Sequence, residues 1–101
     1  MLRFETISPT QIERYVHSKK ALIIDIRTPK EFDEGHIENA INIPFSKLSK
    51  EYNKMPRDLI LILYCRSGGT GLLAAKELYD RGYVVKAMIG GYDAYKKNHL
   101  T

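Results

Sequence analysis

The sequence is poor in cysteine: among its 101 residues there is one, Cys65. A single thiol excludes an intramolecular disulfide, a C-x-x-C redox pair and a metal site built from several cysteines. We therefore expect no bound metal. A chain of this length can bury a core without either kind of cross-link, and no repeat or linker divides it. The prediction is one domain over residues 1–101.

Long hydrophobic runs are also missing. The longest, near Leu59, is far shorter than the roughly 18 residues of a membrane span. The chain does not open with the charged, apolar and small-residue order of a signal peptide. We expect a soluble protein without a membrane partner, located in a reducing compartment, the cytoplasm.

No block of like charge is present, although the net charge is +4. The lysines and arginines are spread over several segments, whereas nucleic-acid binding favours a dense basic stripe. The composition predicts an ordinary solvated surface and no nucleic-acid partner. Its weak positive field would still favour encounters with small anions.

Short apolar runs alternate with helical patterns along the chain. The predicted strands are 21–26, 41–43, 59–64 and 83–88, after a cruder alternation at 3–7. The predicted helices follow capping boxes at 8–11 and 28–31, cover 46–52 and 72–81, and include Ala94 and Tyr95 near the end. This order indicates the α/β class: a small three-layer domain whose mostly parallel central sheet of about five strands has helices on both faces.

The one cysteine directly follows the apolar strand 59–64. Open α/β sheets bind ligands beyond the carboxyl ends of their strands. The residues between this strand and the next helix are Cys65, Arg66, Ser67, Gly68, Gly69, Thr70 and Gly71. Three glycines in four positions allow a sharp turn that points N–H groups inward as an anion-binding nest. Together with the helix N-terminus and Arg66, such a nest favours a reactive thiolate over a merely buried thiol.

Three motifs stand in a recognisable order. Residues 25–37 and 40–44 read DIRTPKEFDEGHI and AINIP, residues 64–68 read YCRSG, and residues 90–92 read GGY. In this order they resemble the single-domain rhodaneses, a family of sulfurtransferases, over nearly the whole length of the chain. The resemblance implies a rhodanese-like fold.

The resemblance also implies a reaction. Cys65 would take a sulfane sulfur from thiosulfate or a persulfide, hold it as a persulfide, and pass it to cyanide, a thiol or a protein thiol. The activity would be that of a thiosulfate:cyanide sulfurtransferase, and the acceptor could be a thioredoxin-like or sulfur-carrier protein. No other cofactor is implied, because the sulfur is carried on the cysteine. Arg66 to Gly71 would bind the substrate, and Asp25 and Arg27 would brace the loop and its neighbouring turn.

One position departs from the family pattern. Members active on thiosulfate often carry a second basic residue near the end of the loop, where this chain has Thr70. A cation for an anionic donor is therefore missing, and the resemblance does not decide whether thiosulfate is the natural donor.

Two other motifs fit the chain poorly. A cysteine-loop phosphatase or arsenate reductase needs C-x-x-x-x-x-R to clamp phosphoryl oxygens, but the seventh position is Gly71. The segment 69–74 formally fits the dinucleotide fingerprint G-x-G-x-x-G/A, yet no acidic residue ends the following strand. Both interpretations are disfavoured.

A rhodanese-like module used for interaction or regulation is the remaining alternative. Such modules often lack the cysteine, which this chain retains. The thiol favours an enzyme or a protein-to-protein sulfur relay, and the sequence does not separate these two.

Overall fold

The computed structural model describes residues 4–99. Residues 1–3 and 100–101, the two ends of the predicted domain, lie outside the described residues, and with them Arg3 of the first alternating segment. The strands are β1 (Glu5–Ile7), β2 (Ala21–Asp25), β3 (Ile41–Asn42), β4 (Ile60–Tyr64) and β5 (Val85–Met88). The helices are α1 (Glu13–Val16), α2 (Pro29–Glu34), α3 (Phe45–Leu48), α4 (Gly69–Asp80) and α5 (Gly91–Asn98), with 3₁₀ turns at Pro9–Gln11 and Ser49–Glu51.

The five strands form one sheet in the order β1-β5-β4-β2-β3. Every neighbouring pair is parallel. The central strand β4 is an apolar run with four of its five residues buried, as expected for a parallel strand covered on both faces. The predicted α/β class and parallel sheet are confirmed.

The core lies in two layers, one on each side of the sheet. Successive residues of a strand point to opposite faces, so Leu61 and Leu63 pack in one layer and Ile62 and Tyr64 in the other. The first layer includes apolar residues of α3 and α4, and the second includes residues of α1, α2 and α5. Helices on both faces give the predicted three layers.

Helix boundaries differ from the sequence prediction. Helix α4 begins at Gly69 rather than Leu72, so Gly69, Thr70 and Gly71 form its first turn. The predicted surface helix at 46–52 is a short α-helix followed by a 3₁₀ turn, and its Leu48 is fully buried. The second capping box forms as predicted: the Glu31 N–H donates to Thr28 Oγ1 at 3.2 Å.

The sheet brings the ends of β2 and β4 together. Asp25, the last residue of β2, lies opposite Tyr64, the last residue of β4. The segments that follow these two strands therefore leave the sheet at the same edge. Within residues 4–99, no helix is long and apolar enough to cross a membrane.

Candidate active site

Cys65 lies at the carboxyl end of β4 and is 6% exposed. Its Sγ accepts hydrogen bonds from the backbone N–H groups of Gly68, at 3.0 Å, and Gly71, at 3.3 Å. The residue also lines a cavity of about 320 Å³. Two amide dipoles aimed at one sulfur stabilise negative charge on it, and the residue that carries this sulfur borders space that a small reactant can enter.

Gly68 makes the turn that aims these amides. Its φ is +116°, a conformation that residues with a β-carbon rarely adopt. A β-carbon there would also lie 3.1 Å from the backbone nitrogen of Gly90. The Leu72 N–H then donates to the Gly68 carbonyl at 3.2 Å, so α4 starts directly from this turn. By contrast, a β-carbon at Gly69 would meet nothing within 4 Å.

The N-terminus of α5 forms hydrogen bonds to the backbone of the loop. The Tyr92 N–H donates to the Cys65 carbonyl at 2.8 Å, and the Asp93 N–H donates to the Arg66 carbonyl at 3.0 Å. A β-carbon at Gly91 would lie 2.5 Å from the Cys65 carbonyl oxygen, so this close approach requires glycine. Sequence reasoning identified the 90–92 motif without its role; adjacent glycines before a helix are the signal for such an approach.

Asp25 and Arg27 form a buried ion pair. The Arg27 side chain donates to the Asp25 carboxylate through Nε, at 3.0 and 3.1 Å, and through Nη2, at 2.7 Å. The Tyr64 hydroxyl donates to the same carboxylate at 2.6 Å. Burial lowers the pKa of the Arg27 guanidinium, but the hydrogen bonds and charge of Asp25 outweigh burial and raise it overall.

This pair contacts the loop indirectly. Arg27 Nη2 donates to the Gly35 carbonyl at 2.6 Å, which fixes the turn after α2. Its guanidinium lies 4.1 Å from the centre of the Tyr92 ring, and the backbone of Tyr92 binds Cys65. Among the described residues, the hydrogen bonds of the two side chains go to Tyr64 and Gly35 and to each other, not to 65–71. That they brace the loop stays a prediction.

The predicted substrate-binding residues are placed differently from one another. Arg66 and Thr70 line the cavity with Cys65, and Gly68 and Gly71 contact the sulfur through their N–H groups. Ser67 and Gly69 are exposed and lie outside the lining of this cavity. Sequence reasoning missed Glu31 and Phe45, which also line it. In the sequence, the capping box accounts for Glu31, and no motif includes Phe45.

No group of three or more histidine, cysteine, aspartate or glutamate side chains is placed to hold a metal ion in the part of the chain described. The ring of His36, a turn residue, has partners within the fold. Its Nδ1 lies 2.9 Å from the Ile37 carbonyl oxygen, and the ring stacks on Phe32.

Comparisons with known proteins point to one family. A family model described as "Rhodanese-like domain" matches residues 8–98. The chain is 27% identical to a thiosulfate sulfurtransferase GlpE of Coxiella burnetii, covering 99% of this chain and 94% of that protein. It is 31% identical to a sulfurtransferase of Allochromatium vinosum, covering 95% and 91%. Among solved structures, reduced Bacillus anthracis CoADR-RHD superposes with a TM-score of 0.85 at 33% identity, over 92% of this chain and 16% of that longer one.

These matches take in the whole neighbourhood of Cys65. The family match runs from the turn before α1 to the end of α5, and so includes the strand, loop and helices that bind the sulfur. The chain therefore belongs to the family of rhodanese-like domains.

Proposed function

We propose that the protein is a sulfurtransferase in which Cys65 carries the transferred sulfur as a persulfide. The observation that supports this most directly is the pair of N–H groups, from Gly68 and Gly71, that donate to Cys65 Sγ at 3.0 and 3.3 Å. A sulfur held this way is stabilised as an anion, and Cys65 is one of the residues that line the cavity.

In the first half of the cycle the Cys65 thiolate attacks the outer sulfur of a sulfane donor. A new S–S bond forms at Cys65, and the donor's own bond to that sulfur breaks. The leaving group departs with the bonding electron pair: sulfite from thiosulfate, or a thiolate from an organic persulfide. Charge is conserved, and no external oxidant or reductant is required.

In the second half an acceptor nucleophile attacks the outer sulfur of the Cys65 persulfide. Cyanide becomes thiocyanate, or a thiolate becomes a new persulfide, and the Cys65 thiolate is released. The same amides serve the thiolate and the persulfide, because both are anions at this position. No further cofactor enters either step, since the sulfur is carried covalently by the protein.

The other residues of the edge act by position and charge in this scheme. The Arg66 side chain is 75% exposed, which suits a cation that attracts an anionic donor before chemistry. Gly68 and Gly71 bind the reacting sulfur through backbone N–H groups. Asp25 and Arg27 are positioning residues that fix the end of β4 and the turn at Gly35. Protein thiols, such as those of thioredoxin-like or sulfur-carrier proteins, have the nucleophilic chemistry that this cycle needs in a sulfur acceptor.

The function is tested by mass spectrometry of the intact protein after incubation with thiosulfate or an organic persulfide. We expect the mass to rise by one sulfur atom, with the adduct mapped to Cys65 and lost on addition of cyanide or a thiol. In Cys65→Ser we expect a folded protein with no adduct and no transfer, because a serine hydroxyl cannot form a persulfide. Circular dichroism confirms the fold of the variant.

Two outcomes would contradict the proposal. Transfer by Cys65→Ser above the background rate would remove covalent catalysis by this residue. The absence of an adduct on the unmodified protein with every donor would favour a rhodanese-like interaction or regulatory module without turnover.

A further inference from the structure

The cavity beside Cys65 has two chemically different walls. One is apolar and consists of Ile26, Pro44 and Phe45. Phe45 is 42% exposed, which leaves apolar surface available to a bound molecule. Its backbone N–H donates to the Ile26 carbonyl at 2.9 Å, so its backbone is anchored beside the cavity. A donor bound here meets apolar surface on this side.

The rest of the lining includes charges of both signs. Arg66 Nε lies 4.0 Å from Glu31 Oε2, and both residues line the cavity. The other oxygen of Glu31, Oε1, accepts hydrogen bonds from the backbone and side chain of Thr28, at 3.3 and 3.0 Å. The carboxylate is therefore held at the cavity by the start of α2. It offsets the positive charge that Arg66 presents to an incoming anion.

Among the described residues that line this cavity, each cation has an acidic partner. The cavity's third charged residue, Arg27, is paired with Asp25, and Thr70 supplies a neutral hydroxyl. A dianion such as thiosulfate meets twice the attraction to Arg66 and twice the repulsion from Glu31 that a monoanion meets, so this ion pair removes the advantage that an unpaired Arg66 would give the dianion. A monoanion with an apolar substituent meets less repulsion from Glu31 and gains contact with Phe45.

We propose, on the basis of the persulfide function above, that Glu31 and Phe45 make this site selective for sulfane donors that carry one negative charge and an apolar group. Organic thiosulfonate anions, R–SO₂–S⁻, have this chemistry and serve as probes. The Cys65 thiolate attacks the terminal sulfur, the S–S bond to Cys65 forms, and the bond between the two donor sulfurs breaks. The sulfinate R–SO₂⁻ leaves with the electron pair, so the step parallels that with thiosulfate.

The charge part of the proposal is tested with Glu31→Gln. Glutamine also completes a capping box, so the start of α2 is retained while the negative charge is removed. We expect the ratio of kcat/KM for thiosulfate to that for the methanethiosulfonate anion to rise about threefold to tenfold at low salt, and less at high salt. Comparing this ratio between the variant and the wild type cancels the intrinsic reactivity of the donors. Asp33→Asn, an equal charge change at an exposed residue of the same helix outside the cavity lining, is the matched control and should leave the ratio unchanged.

The apolar part is tested with Phe45→Ala. We expect the ratio of kcat/KM for benzenethiosulfonate to that for methanethiosulfonate to fall about threefold or more, because the phenyl group loses its contact surface. Val84→Ala is the control, since Val84 is also exposed, at 56%, but precedes β5 at the opposite edge of the sheet. It should not change this ratio.

The outcomes separate the two proposals. If no donor forms a persulfide at Cys65 in the unmodified protein, the proposed function fails. If all three donors form it and Glu31→Gln and Phe45→Ala leave both ratios within the range of their controls, the function stands and the assignment of these two residues is wrong. A change in only one of the two ratios would overturn the assignment of the residue whose variant leaves its ratio unchanged.

Discussion

Two neighbouring strands, β2 and β4, end at the same edge of the sheet, yet the polar groups beyond them are bound in opposite ways. The Asp25 carboxylate is fully buried and receives donors from Arg27 and from the Tyr64 hydroxyl. The Cys65 sulfur receives two amide N–H groups and keeps a side toward the cavity. The first group has its partners within the fold, whereas the second remains available to a reactant.

The difference lies in the kind of electrostatic partner. A buried full charge such as Asp25 requires a counter-charge and further hydrogen bonds, which together fix its geometry. In the proposed cycle, negative charge on Cys65 is balanced by backbone dipoles, which stay in place whether the sulfur is loaded or free. Substitutions at the fully hydrogen-bonded end of β2 should therefore cost more stability than substitutions in the loop after β4.

The largest effect is expected for Asp25→Ala. Removing the carboxylate leaves the Arg27 guanidinium without its partner at a side-chain exposure of 6%, and it also removes the acceptor of the Tyr64 hydroxyl. We expect the free energy of unfolding to fall by about 3–5 kcal/mol, measured by urea denaturation at neutral pH.

Asp25→Asn is the matched control for that measurement. It keeps the shape of the side chain and one acceptor oxygen but removes the charge, so its loss of stability should be smaller. If Asp25→Ala left stability unchanged while abolishing sulfur transfer, the carboxylate would have a direct role in the reaction and not the positioning role assigned to it.

Tyr64→Phe should have the next largest effect. The hydroxyl donates to Asp25 at 2.6 Å and accepts from the Ile37 N–H at 3.1 Å, so its removal leaves two buried groups without this partner. We expect a loss of about 2 kcal/mol in the free energy of unfolding. A change below about 0.5 kcal/mol would show that the pair at the end of β2 does not depend on this hydroxyl.

The same variant has a predictable pH dependence. Burial, then the hydrogen bond to Asp25, raises the pKa of Tyr64 above its ordinary value. The unfolded tyrosine loses its proton above about pH 10 while the folded one keeps it, so this contribution to stability is present below that pH and declines above it. The stability difference between wild type and Tyr64→Phe should therefore shrink by about 1.4 kcal/mol between pH 8 and pH 11. A constant difference would contradict the raised pKa.

The sequence predicted well whatever depends on local pattern. The apolar runs at β2 and β4 are buried strands, and the capping box at Thr28 begins α2, because hydrophobic periodicity and N-terminal capping act over a few residues. The apolar run at 59–64 also located the cysteine at the carboxyl end of a strand. These features required no knowledge of residues distant in the sequence.

The contacts that shape the site could not be predicted in this way. The approach of Gly91 to the Cys65 carbonyl joins residues far apart in the chain, and the position of Glu31 beside Arg66 depends on how α2 leaves the sheet. The start of α4 at Gly69 depends on which glycine makes the turn. Gly68, Gly69 and Gly71 are equivalent by composition, and only the folded chain shows that the first of them has a positive φ and packs against Gly90.

That distinction gives the smallest expected effect on stability and the most direct test of the open loop. Gly68→Ala places a β-carbon at φ +116° and 3.1 Å from the Gly90 nitrogen, so we expect a loss of about 1–2 kcal/mol in the free energy of unfolding. Because the strain turns the residue 68 N–H away from the sulfur, persulfide formation should slow about tenfold or more.

Gly69→Ala is the matched control: its β-carbon meets nothing within 4 Å, and alanine favours the first turn of α4, so rate and stability should stay near wild type. Equal behaviour of the two variants, in single-turnover kinetics and urea denaturation, would mean that the turn at Gly68 does not aim the amides that hold Cys65.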